Sequence, residues 1–249
     1  MPDKTVALRI KRQDRPGSAP YWQEFEVPFQ PSMNVIAALQ AVRRAPATRE
    51  GRKVDPVVWD SNCLEEVCGA CTMVVNGKVR QACSALVEPL ARPITLEPMS
   101  KFPVVRDLVV DRSSMFENLK KVRAWIDIDG TYDIGPGPRM PDDAAQEGYV
   151  LSRCMSCGCC LEVCPQVNEG SEFMGPAVMS QVVLFNTHPS GKQHRAARLD
   201  AVMGPGGIAD CGKAQNCVRA CPKEIPLTES LVKLAREATL QGIRELFGK

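Results

Sequence analysis

The sequence predicts an α+β protein with two domains, a strand-rich one over residues 1–104 and a helical one over residues 105–249. The chain has 249 residues, of which 44% are hydrophobic, which is enough for two cores of ordinary size. In the first domain apolar and polar side chains alternate with the period of a β-strand. From about Phe102 onward the alternation fades, and apolar residues recur at helical spacing.

Two hairpins, one helix and a last strand account for the first domain. The alternating stretches TVALRI and EFEVPF are separated by the turn residues RPGSAP, which predicts a hairpin. Asn34 can cap a helix over MNVIAALQAVRRA that ends before Pro46. The dipeptide Asn76-Gly77 between TMVV and KVRQAC is a type I′ turn signal, and the strand ITLEP follows. Strands crossed by one helix favour a small β-grasp sheet.

Helices account for most of the second domain. The last predicted helix has a charged face, which we expect to be solvated. The stretch DIGPGPRMPDD, residues 133–143, predicts a loop, and its prolines lack the amide donors that a phosphate-binding loop needs. The four segments with helical spacing are MFENLKKVRAWI, AVMSQVVLFN, HRAARLDAVMG and TESLVKLAREATLQGIRELFG.

Charge and hydropathy argue against two classes of partner. The net charge of +2 comes from 31 basic and 29 acidic residues scattered along the chain, without the basic stripe that nucleic-acid binding needs. The start of the chain has no apolar stretch of an export signal, and the longest aliphatic-aromatic run is VVLF, residues 182–185. We expect no nucleic-acid partner and no transmembrane segment of the chain's own.

Twelve cysteines in a chain without an export signal are better explained by metal than by disulfides, because the cytosol keeps thiols reduced. Zinc sites usually contain paired C-x2-C knuckles or histidines. The chain has two histidines, His188 and His194, and both lie in the polar stretch NTHPSGKQHR, where we expect solvated loop residues.

The first cysteine group, NCLEEVCGACTMVVNGKVRQAC, has the C-x4-C-x2-C spacing of a plant-type 2Fe-2S ferredoxin, followed by a distant fourth cysteine. Three thiolates on one tight loop can surround one side of a small cluster, and the hairpin returns the fourth to the other side. Gly69 would let the backbone come close to the sulfides. The alternative is four buried free cysteines. The predicted 2Fe-2S ligands are Cys63, Cys68, Cys71 and Cys83.

The second half contains two runs of the bacterial ferredoxin pattern C-x2-C-x2-C-x3-C-P. The run CMSCGCCLEVCP is complete, whereas CGKAQNCVRACP has Ala214 in place of its second cysteine. In two-cluster ferredoxins the fourth cysteine of each run ligates the other cluster, so one site has four thiolates and the other three. The predicted 4Fe-4S ligands are Cys154, Cys157, Cys160 and Cys221, and the predicted 3Fe-4S ligands are Cys164, Cys211 and Cys217.

The missing ligand at Ala214 has a redox consequence. An oxidised 3Fe-4S core is formally all ferric, whereas an oxidised 4Fe-4S core already holds reduced iron, so the three-iron cluster should accept an electron more readily. The alternative is that water or another side chain completes a fourth iron. Cys159 lies off the register of the motif, and we expect it to be a buried spare thiol.

Three different clusters in one chain indicate electron transfer. The chain has no dinucleotide-binding fingerprint, no candidate flavin site and no acid-base pair associated with the clusters. The chemistry at each end must therefore come from partners, and we expect the chain to be one subunit of a complex.

The three motifs closely resemble those of the iron-sulfur subunit of succinate dehydrogenase and fumarate reductase, the succinate:quinone oxidoreductases of respiratory complex II, over essentially the whole chain. The resemblance implies that the 2Fe-2S cluster faces a flavoprotein subunit with covalent FAD, where a dicarboxylate gives up two electrons. It also implies that electrons then pass through the 4Fe-4S and 3Fe-4S clusters to quinone at a membrane anchor. A quinol:fumarate reductase would run the same path in reverse. The subunit would lie at the cytoplasmic face of the membrane, held there by its partners.

Two stretches depart from the common ubiquinone-reducing type of this family. That type has a tryptophan shortly after the CP of the first run and a histidine after the first cysteine of the second, both near the quinone. Here the corresponding stretches are CPQVNEG and Cys211-Gly212. The CPQVNEG segment is more similar to the branch whose anchor is a single di-haem cytochrome b, containing haem b, and whose usual quinone is menaquinone.

Other cluster proteins remain as alternatives. A soluble multi-cluster ferredoxin would share all three motifs but would have no apolar docking surface. A molybdenum hydroxylase small subunit also uses a CGAC loop, but the complete bacterial run excludes it, and a purely structural protein would need three redox-inactive clusters. Apolar residues around the cysteine runs could form a docking surface, although core packing is the commoner explanation for each. These residues are Val163, Val167, Phe173, Met174 and Val178.

Overall fold

The computed structural model describes residues 5–127 and 138–248. The chain divides into two compact units. The first comprises Met1–Arg112 together with Met155–Glu162, and the second comprises Ser113–Cys154 together with Val163–Lys249. The first unit therefore extends beyond residue 104 and includes part of the second cysteine group.

The described elements are mostly short. The strands are β1 Thr5–Arg12, β2 Tyr21–Pro28, β3 Thr72–Val75, β4 Lys78–Gln81, β5 Ile94–Glu97, β6 Val104–Arg106 and β7 Val109–Val110. The α-helices are α1 Val35–Arg44, α2 Ser113–Lys121, α3 Asp142–Ser152, α4 Cys159–Glu162, α5 Pro176–Thr187, α6 Arg195–Met203, α7 Asn216–Ala220 and α8 Leu227–Leu246. Two 3-10 helices cover Ser190–His194 and Ile208–Asp210.

A five-stranded mixed sheet forms the centre of the first unit, in the order β2-β1-β5-β3-β4. Strand β1 runs antiparallel to β2 and parallel to β5, and β3 runs antiparallel to both β4 and β5. The alternation in TVALRI is confirmed, because Val6, Leu8 and Ile10 are buried in the core of the sheet. Helix α1 contributes its apolar side chains to the same core.

The local signals in the first half form the structures that the sequence predicts. Asn34 caps α1, since its side-chain oxygen accepts a hydrogen bond from the Ala37 N–H at 2.8 Å. The helix ends at Arg44. Asn76 and Gly77 have φ of 47° and 75°, the two positive values that a type I′ turn requires.

The hairpin of β6 and β7 was not predicted, because strands of three and two residues are too short to show alternation. Its turn residue Asp107 enters a buried ion pair, in which Arg12 Nε donates to Asp107 Oδ1 at 2.7 Å. The two side chains are 1% and 0% exposed. The carboxylate also accepts from the N–H groups of Gln13 and Val58, and Arg12 donates to Gln23 Oε1. The network connects β1 to Val58, in the segment just before the first cysteine group.

All the elements that the structure describes in the second unit are helices, joined by loops. Its core lies between α5 and α8, where Val182 and Val183 of α5 and Leu234 of α8 are fully buried. A helix lies in each of the four segments with helical spacing, although α2 ends at Lys121 and leaves the last five residues of MFENLKKVRAWI outside it. Helix α3 begins inside the stretch 133–143 predicted as a loop, and residues 133–137 of that stretch lie outside the described residues.

Helix α8 is apolar on two faces. Leu227, Leu231, Leu234 and Ala238 point into the core, in line with its amphipathic sequence. The solvent-facing side was expected to be charged, but it carries apolar side chains in addition to charged ones. We call these the outer stripe of α8: Val232, Leu240, Ile243, Leu246 and, just after the helix, Phe247, all exposed.

The prediction of a docking surface around the cysteine runs is wrong in part, because Phe173, Met174 and Val178 are buried in the core. Val163 and Val167 are half-buried. In the described ranges no helix combines the length and apolarity needed to cross a bilayer.

We expect Asp107→Asn to destabilise the first unit by about 3–5 kcal/mol, because it leaves the buried Arg12 charge without its counter-ion. Urea denaturation of the full chain, followed by circular dichroism, would measure the loss. Glu117→Gln is the matched control, since Glu117 pairs with Lys120 in full contact with solvent and should contribute about 0–1 kcal/mol. Equal losses for the two variants would contradict the importance of the buried pair.

Candidate iron-sulfur centres

The first cysteine loop surrounds one sulfur with backbone donors. Cys63 Sγ accepts hydrogen bonds from the N–H groups of Glu65, Val67 and Cys68 at 3.4, 3.3 and 3.3 Å. These bonds, with that of Glu65 the largest cause, lower the pKa of the Cys63 thiol to about 7. The loop therefore stabilises Cys63 as a thiolate, which is the form that binds iron.

This arrangement requires left-handed backbone. Leu64 and Glu66 have φ of 61° and 55°, and Gly69 has φ of 69°. Left-handed φ costs a residue with a Cβ about 1–2 kcal/mol, and Leu is not one of the residues that adopts it readily. The strain is maintained because it turns successive N–H groups toward the same sulfur.

The four predicted 2Fe-2S ligands come together as two pairs within the first unit. Cys63 N–H lies 3.5 Å from Cys68 Sγ, and the side chains of Cys71 and Cys83 hydrogen-bond each other. Burial raises the pKa of the Cys71 thiol to about 12. Two pairs suit a 2Fe-2S cluster, since each tetrahedral iron needs two protein thiolates besides its two bridging sulfides.

The cap of α1 has a second role that sequence reasoning missed. Asn34 Nδ2 donates to the carbonyl oxygen of Cys83 at 2.8 Å, while Asn34 Oδ1 caps the helix. Arg112 was also missed, and its guanidinium donates to the carbonyl oxygens of Gly69 and Ala70 at 2.9 and 3.2 Å. No local pattern marks either contact, because the partners are 42 or more residues apart in the chain.

Part of the second cysteine group lies in the first unit, beside this loop. A Cβ on Gly69 would lie 2.7 Å from both Cα and Cβ of Cys157, so the two loops touch at the glycine. Gly69 was expected to make room for sulfides, and the structure shows that it makes room for Cys157. Glu162 secures the segment by accepting from the N–H groups of Ser100 and Lys101 at 2.9 and 3.1 Å.

Cys159 is fully buried in the first unit. Its sulfur lies 3.5 Å from Gln81 Nε2, and it also hydrogen-bonds the side chain of Cys157. The bond from Cys159 is the largest cause that lowers the pKa of the Cys157 thiol to about 7, while the pKa of Cys159 is raised.

The predicted 4Fe-4S ligands are divided between the units. Cys157 and Cys160 belong to the first, and Cys154 and Cys221 to the second. This ligand set therefore stays a prediction from the sequence.

The three predicted 3Fe-4S ligands line one cavity in the second unit. Cys164, Cys211 and Cys217 share a cavity of about 330 Å³ with Ala214. Burial raises the pKa of the Cys217 thiol, and the charges of the other two thiols add to the increase. Three sulfurs around a cavity, with a methyl group where a fourth would stand, fit a cluster with three protein ligands.

Gln166 and Gly212, one residue from each of the two stretches that depart from the common family pattern, are neighbours in this cavity. A Cβ on Gly212 would lie 2.5 Å from Gln166 Nε2, and both residues line the cavity wall. The amide of Gln166 thus fills the space into which a larger residue at position 212 would extend.

The two histidines are half-buried rather than solvated. His194 pairs with Asp127 and lies 3.3 Å from Arg123 Nη1, and His188 Nδ1 accepts from the Ser190 N–H at 3.2 Å. Within residues 5–127 and 138–248, no group of three or more His, Cys, Asp or Glu side chains is arranged around a single metal ion.

Two protein families match separate parts of the chain. Residues 7–117 match the family described as "2Fe-2S iron-sulfur cluster binding domain", and residues 150–225 match "4Fe-4S dicluster domain". The chain thus contains a 2Fe-2S ferredoxin-type domain followed by a 4Fe-4S domain, with strands and helices mixed along the chain.

Relatives that match over nearly the whole chain are named as iron-sulfur subunits. The chain is 60% identical over 245 residues to the "Succinate dehydrogenase iron-sulfur subunit" of Bacillus subtilis (strain 168), covering 98% of this chain and 97% of the relative. It is 29% identical over 241 residues to the "Fumarate reductase iron-sulfur subunit" of Wolinella succinogenes, covering 94% and 97%. A chain of the "Mycobacterium smegmatis Sdh1 complex in the apo form" has the same fold, with a TM-score of 0.79, 23% identity and coverage of 94% and 95%.

We expect Gly69→Ala to lose most of its bound iron, because the added Cβ would overlap Cys157 in addition to straining the backbone. Gly17→Ala is the matched control, since Gly17 has a similar φ of 75° but nothing within 4 Å. Iron content and visible absorbance of the purified protein would be measured. The control should lose about 1–2 kcal/mol of stability and retain its iron. Equal iron content in the two variants would show that the contact with Cys157 is not needed.

Proposed function

This chain belongs to the family of iron-sulfur subunits of succinate dehydrogenase and fumarate reductase, and we propose that it relays electrons from FAD in a flavoprotein subunit to quinone at a membrane anchor. The observation that carries the proposal is the set of three unequal cysteine groups in one chain, the last with three thiols around a cavity. The 60% identity to a succinate dehydrogenase subunit favours succinate oxidation as the physiological direction.

The fold supports two ferredoxin-like domains of different kinds. The mixed sheet crossed by α1 supports a β-grasp for the plant-type domain. The helices of the second unit support an all-helical, bacterial-ferredoxin-like domain.

Each cluster, when bound, would accept and give up one electron at a time, and the protein would hold it in place by its thiolates. We assign the 2Fe-2S cluster to Cys63, Cys68, Cys71 and Cys83, and the 4Fe-4S cluster to Cys154, Cys157, Cys160 and Cys221. We assign the 3Fe-4S cluster to Cys164, Cys211 and Cys217.

The flavoprotein would dock against the first cysteine loop. Leu64 and Val67 of this loop are exposed apolar residues, and Cys63 and Cys68 are only half-buried. An exposed apolar rim around a cluster is suited to a partner that must approach it closely.

The membrane anchor, which we take to be a cytochrome b with haem, would dock against the second unit. The outer stripe of α8 begins at Val232, which also lines the cavity of Cys164, Cys211 and Cys217. An exposed apolar stripe opposite the core face of a helix suits a partner surface, and its first residue lies at the wall of the cavity from which electrons would leave. This favours a membrane-bound complex over a soluble ferredoxin, which needs no such surface.

The quinone would approach this same cavity. The stretches CPQVNEG and Cys211-Gly212 lack the tryptophan and the histidine of the ubiquinone-reducing type, and Gln166 and Gly212 of these stretches line the cavity, which supports menaquinone as the acceptor. Operation as a quinol:fumarate reductase is the second candidate, favoured by the similarity to a fumarate reductase subunit.

Low-temperature EPR of the complex purified anaerobically from membranes would test the cluster assignment. The air-oxidised wild type should show a 3Fe-4S signal, and Ala214→Cys should lose it and gain a second 4Fe-4S signal, because a fourth thiolate holds a fourth iron. Ala214→Ser, which adds a hydroxyl of similar size, should keep the three-iron signal. A wild type with two 4Fe-4S centres and no oxidised-state signal would overturn the assignment.

We expect the double variant Leu240→Glu and Ile243→Glu to reduce recovery with the membrane fraction at least tenfold. Each apolar side chain removed from a buried interface costs about 1.5–3 kcal/mol, and 1.4 kcal/mol corresponds to a factor of ten. Phe116→Glu on α2 is the control, because Phe116 is 49% exposed and Ile243 46%. Equal recovery of the α8 variant and the wild type would show that the stripe does not contact the anchor.

A further inference from the structure

A buried chain of hydrogen bonds joins two cysteine loops within the first unit. It begins at the carbonyl oxygen of Gly69, which accepts from Thr72 Oγ1 at 2.8 Å. Thr72 Oγ1 accepts from Gln81 Nε2 at 3.0 Å, and the same Nε2 lies 3.5 Å from Cys159 Sγ. Thr72, Gln81 and Cys159 are all buried. The hydrogen bonds end at Cys157, which packs against Gly69, where they began, and whose side chain hydrogen-bonds Cys159.

The hydrogen-bond donors of this network leave the S–H proton of Cys159 for Cys157. The Gln81 amide has two N–H groups, one directed at Thr72 Oγ1 and the other shared between the sulfurs of Cys159, at 3.5 Å, and Cys157, so both sulfurs accept from Gln81. The S–H of Cys159 is then available to donate. A sulfur bound to iron has no proton, so in the cluster-loaded protein Cys159 must be the donor and Cys157 the acceptor.

The buried position of the Gln81 side chain costs free energy of folding. Its side-chain oxygen is buried and has no hydrogen-bond partner in the part of the chain that the structure describes. Burying an unpaired amide oxygen costs free energy, whereas an apolar side chain of similar length would avoid that cost. The amide is therefore retained for its N–H groups, which fix the rotamers of Thr72 and Cys159.

We infer that Cys159 donates a hydrogen bond to the sulfur of Cys157 and thereby raises the reduction potential of the 4Fe-4S cluster, with Gln81 orienting Cys159. A hydrogen bond to a ligand sulfur withdraws negative charge from the cluster and favours its reduced form. The inference rests on the proposed function, which makes Cys157 an iron ligand. Cys159 and Gln81 are positioning residues, because neither binds iron.

EPR-monitored redox titration of the purified complex tests the donor role. With Cys159→Ala, the ratio of reduced to oxidised 4Fe-4S cluster at the wild-type midpoint should fall three- to tenfold, a tenfold change being 59 mV for one electron. Cys159→Ser should restore most of the wild-type potential, because its hydroxyl also donates. Gln81→Met should shift the potential in the same direction but less, since it frees the Cys159 rotamer. The potential of the 3Fe-4S cluster should not change.

Val75→Ala is the structural control. Val75 is buried on β3 in the same sheet and belongs to its hydrophobic core, so the variant should lose stability without a change in potential. An unchanged potential in Cys159→Ala, or an equal shift in Val75→Ala, would overturn the inference. Failure of the proposed function would look different, because the wild type would then lack the 4Fe-4S signal altogether.

Infrared spectroscopy gives an independent readout. In the loaded protein Cys159 is the one cysteine of this chain outside the three proposed ligand sets, so the S–H stretching band that disappears in the difference spectrum between wild type and Cys159→Ala should be its own. A hydrogen-bonded S–H absorbs at lower frequency than a free thiol. A band at the free-thiol frequency would show that Cys159 does not donate, whatever the potentials.

Discussion

The cysteine loops depend on a single constraint: a thiolate held inside a protein needs hydrogen-bond donors directed at its sulfur. The loop at Cys63 meets it with three backbone N–H groups, and it does so by placing Leu64 and Glu66 in left-handed conformation. Left-handed residues recur in the other cysteine runs, at Ser156 in one and at Lys213 and Gln215 in the other. Each costs about 1–2 kcal/mol, so the surrounding structure must stabilise these loops.

In the first unit the sheet supplies that stabilisation through polar contacts at both ends of the cysteine group. The Arg12–Asp107 pair holds the backbone at Val58, shortly before the loop begins. Asn34 holds the carbonyl oxygen of Cys83 after the loop has ended. Because both contacts are at least part-buried, they are shielded from competition by water, and the loop is supported from two sides of a rigid sheet.

The same unit explains how two cysteine groups can lie side by side. Gly69 removes the Cβ that would otherwise separate the first loop from Cys157, and Gln81 connects the two by hydrogen bonds. Electron transfer between clusters becomes faster as their separation falls, so a contact between ligand loops favours the proposed relay. In the second unit, the cysteines of the proposed 3Fe-4S site line a cavity. Cys211 is half-buried at its wall, which leaves the proposed terminal cluster accessible to an acceptor.

Features that depend on neighbouring residues alone can be predicted from the sequence. These include the alternation of β1, the cap at Asn34, the turn at Asn76-Gly77 and the spacing of the cysteines, which is enough to identify the family. Each is a local pattern, because strand pleat, helix capping and loop ligation act over a few residues.

Contacts between residues far apart in the chain become visible in the folded protein alone. Local periodicity could not show that Asp107 pairs with Arg12, that Cys159 meets Gln81, or that residues 155–162 join the first unit. Nor could it separate the buried Phe173 from the exposed Leu246, since both are apolar and only packing distinguishes a core from a docking surface. The cause is the same in each case: burial and pairing depend on which distant segment covers a residue, and the local sequence does not encode that segment.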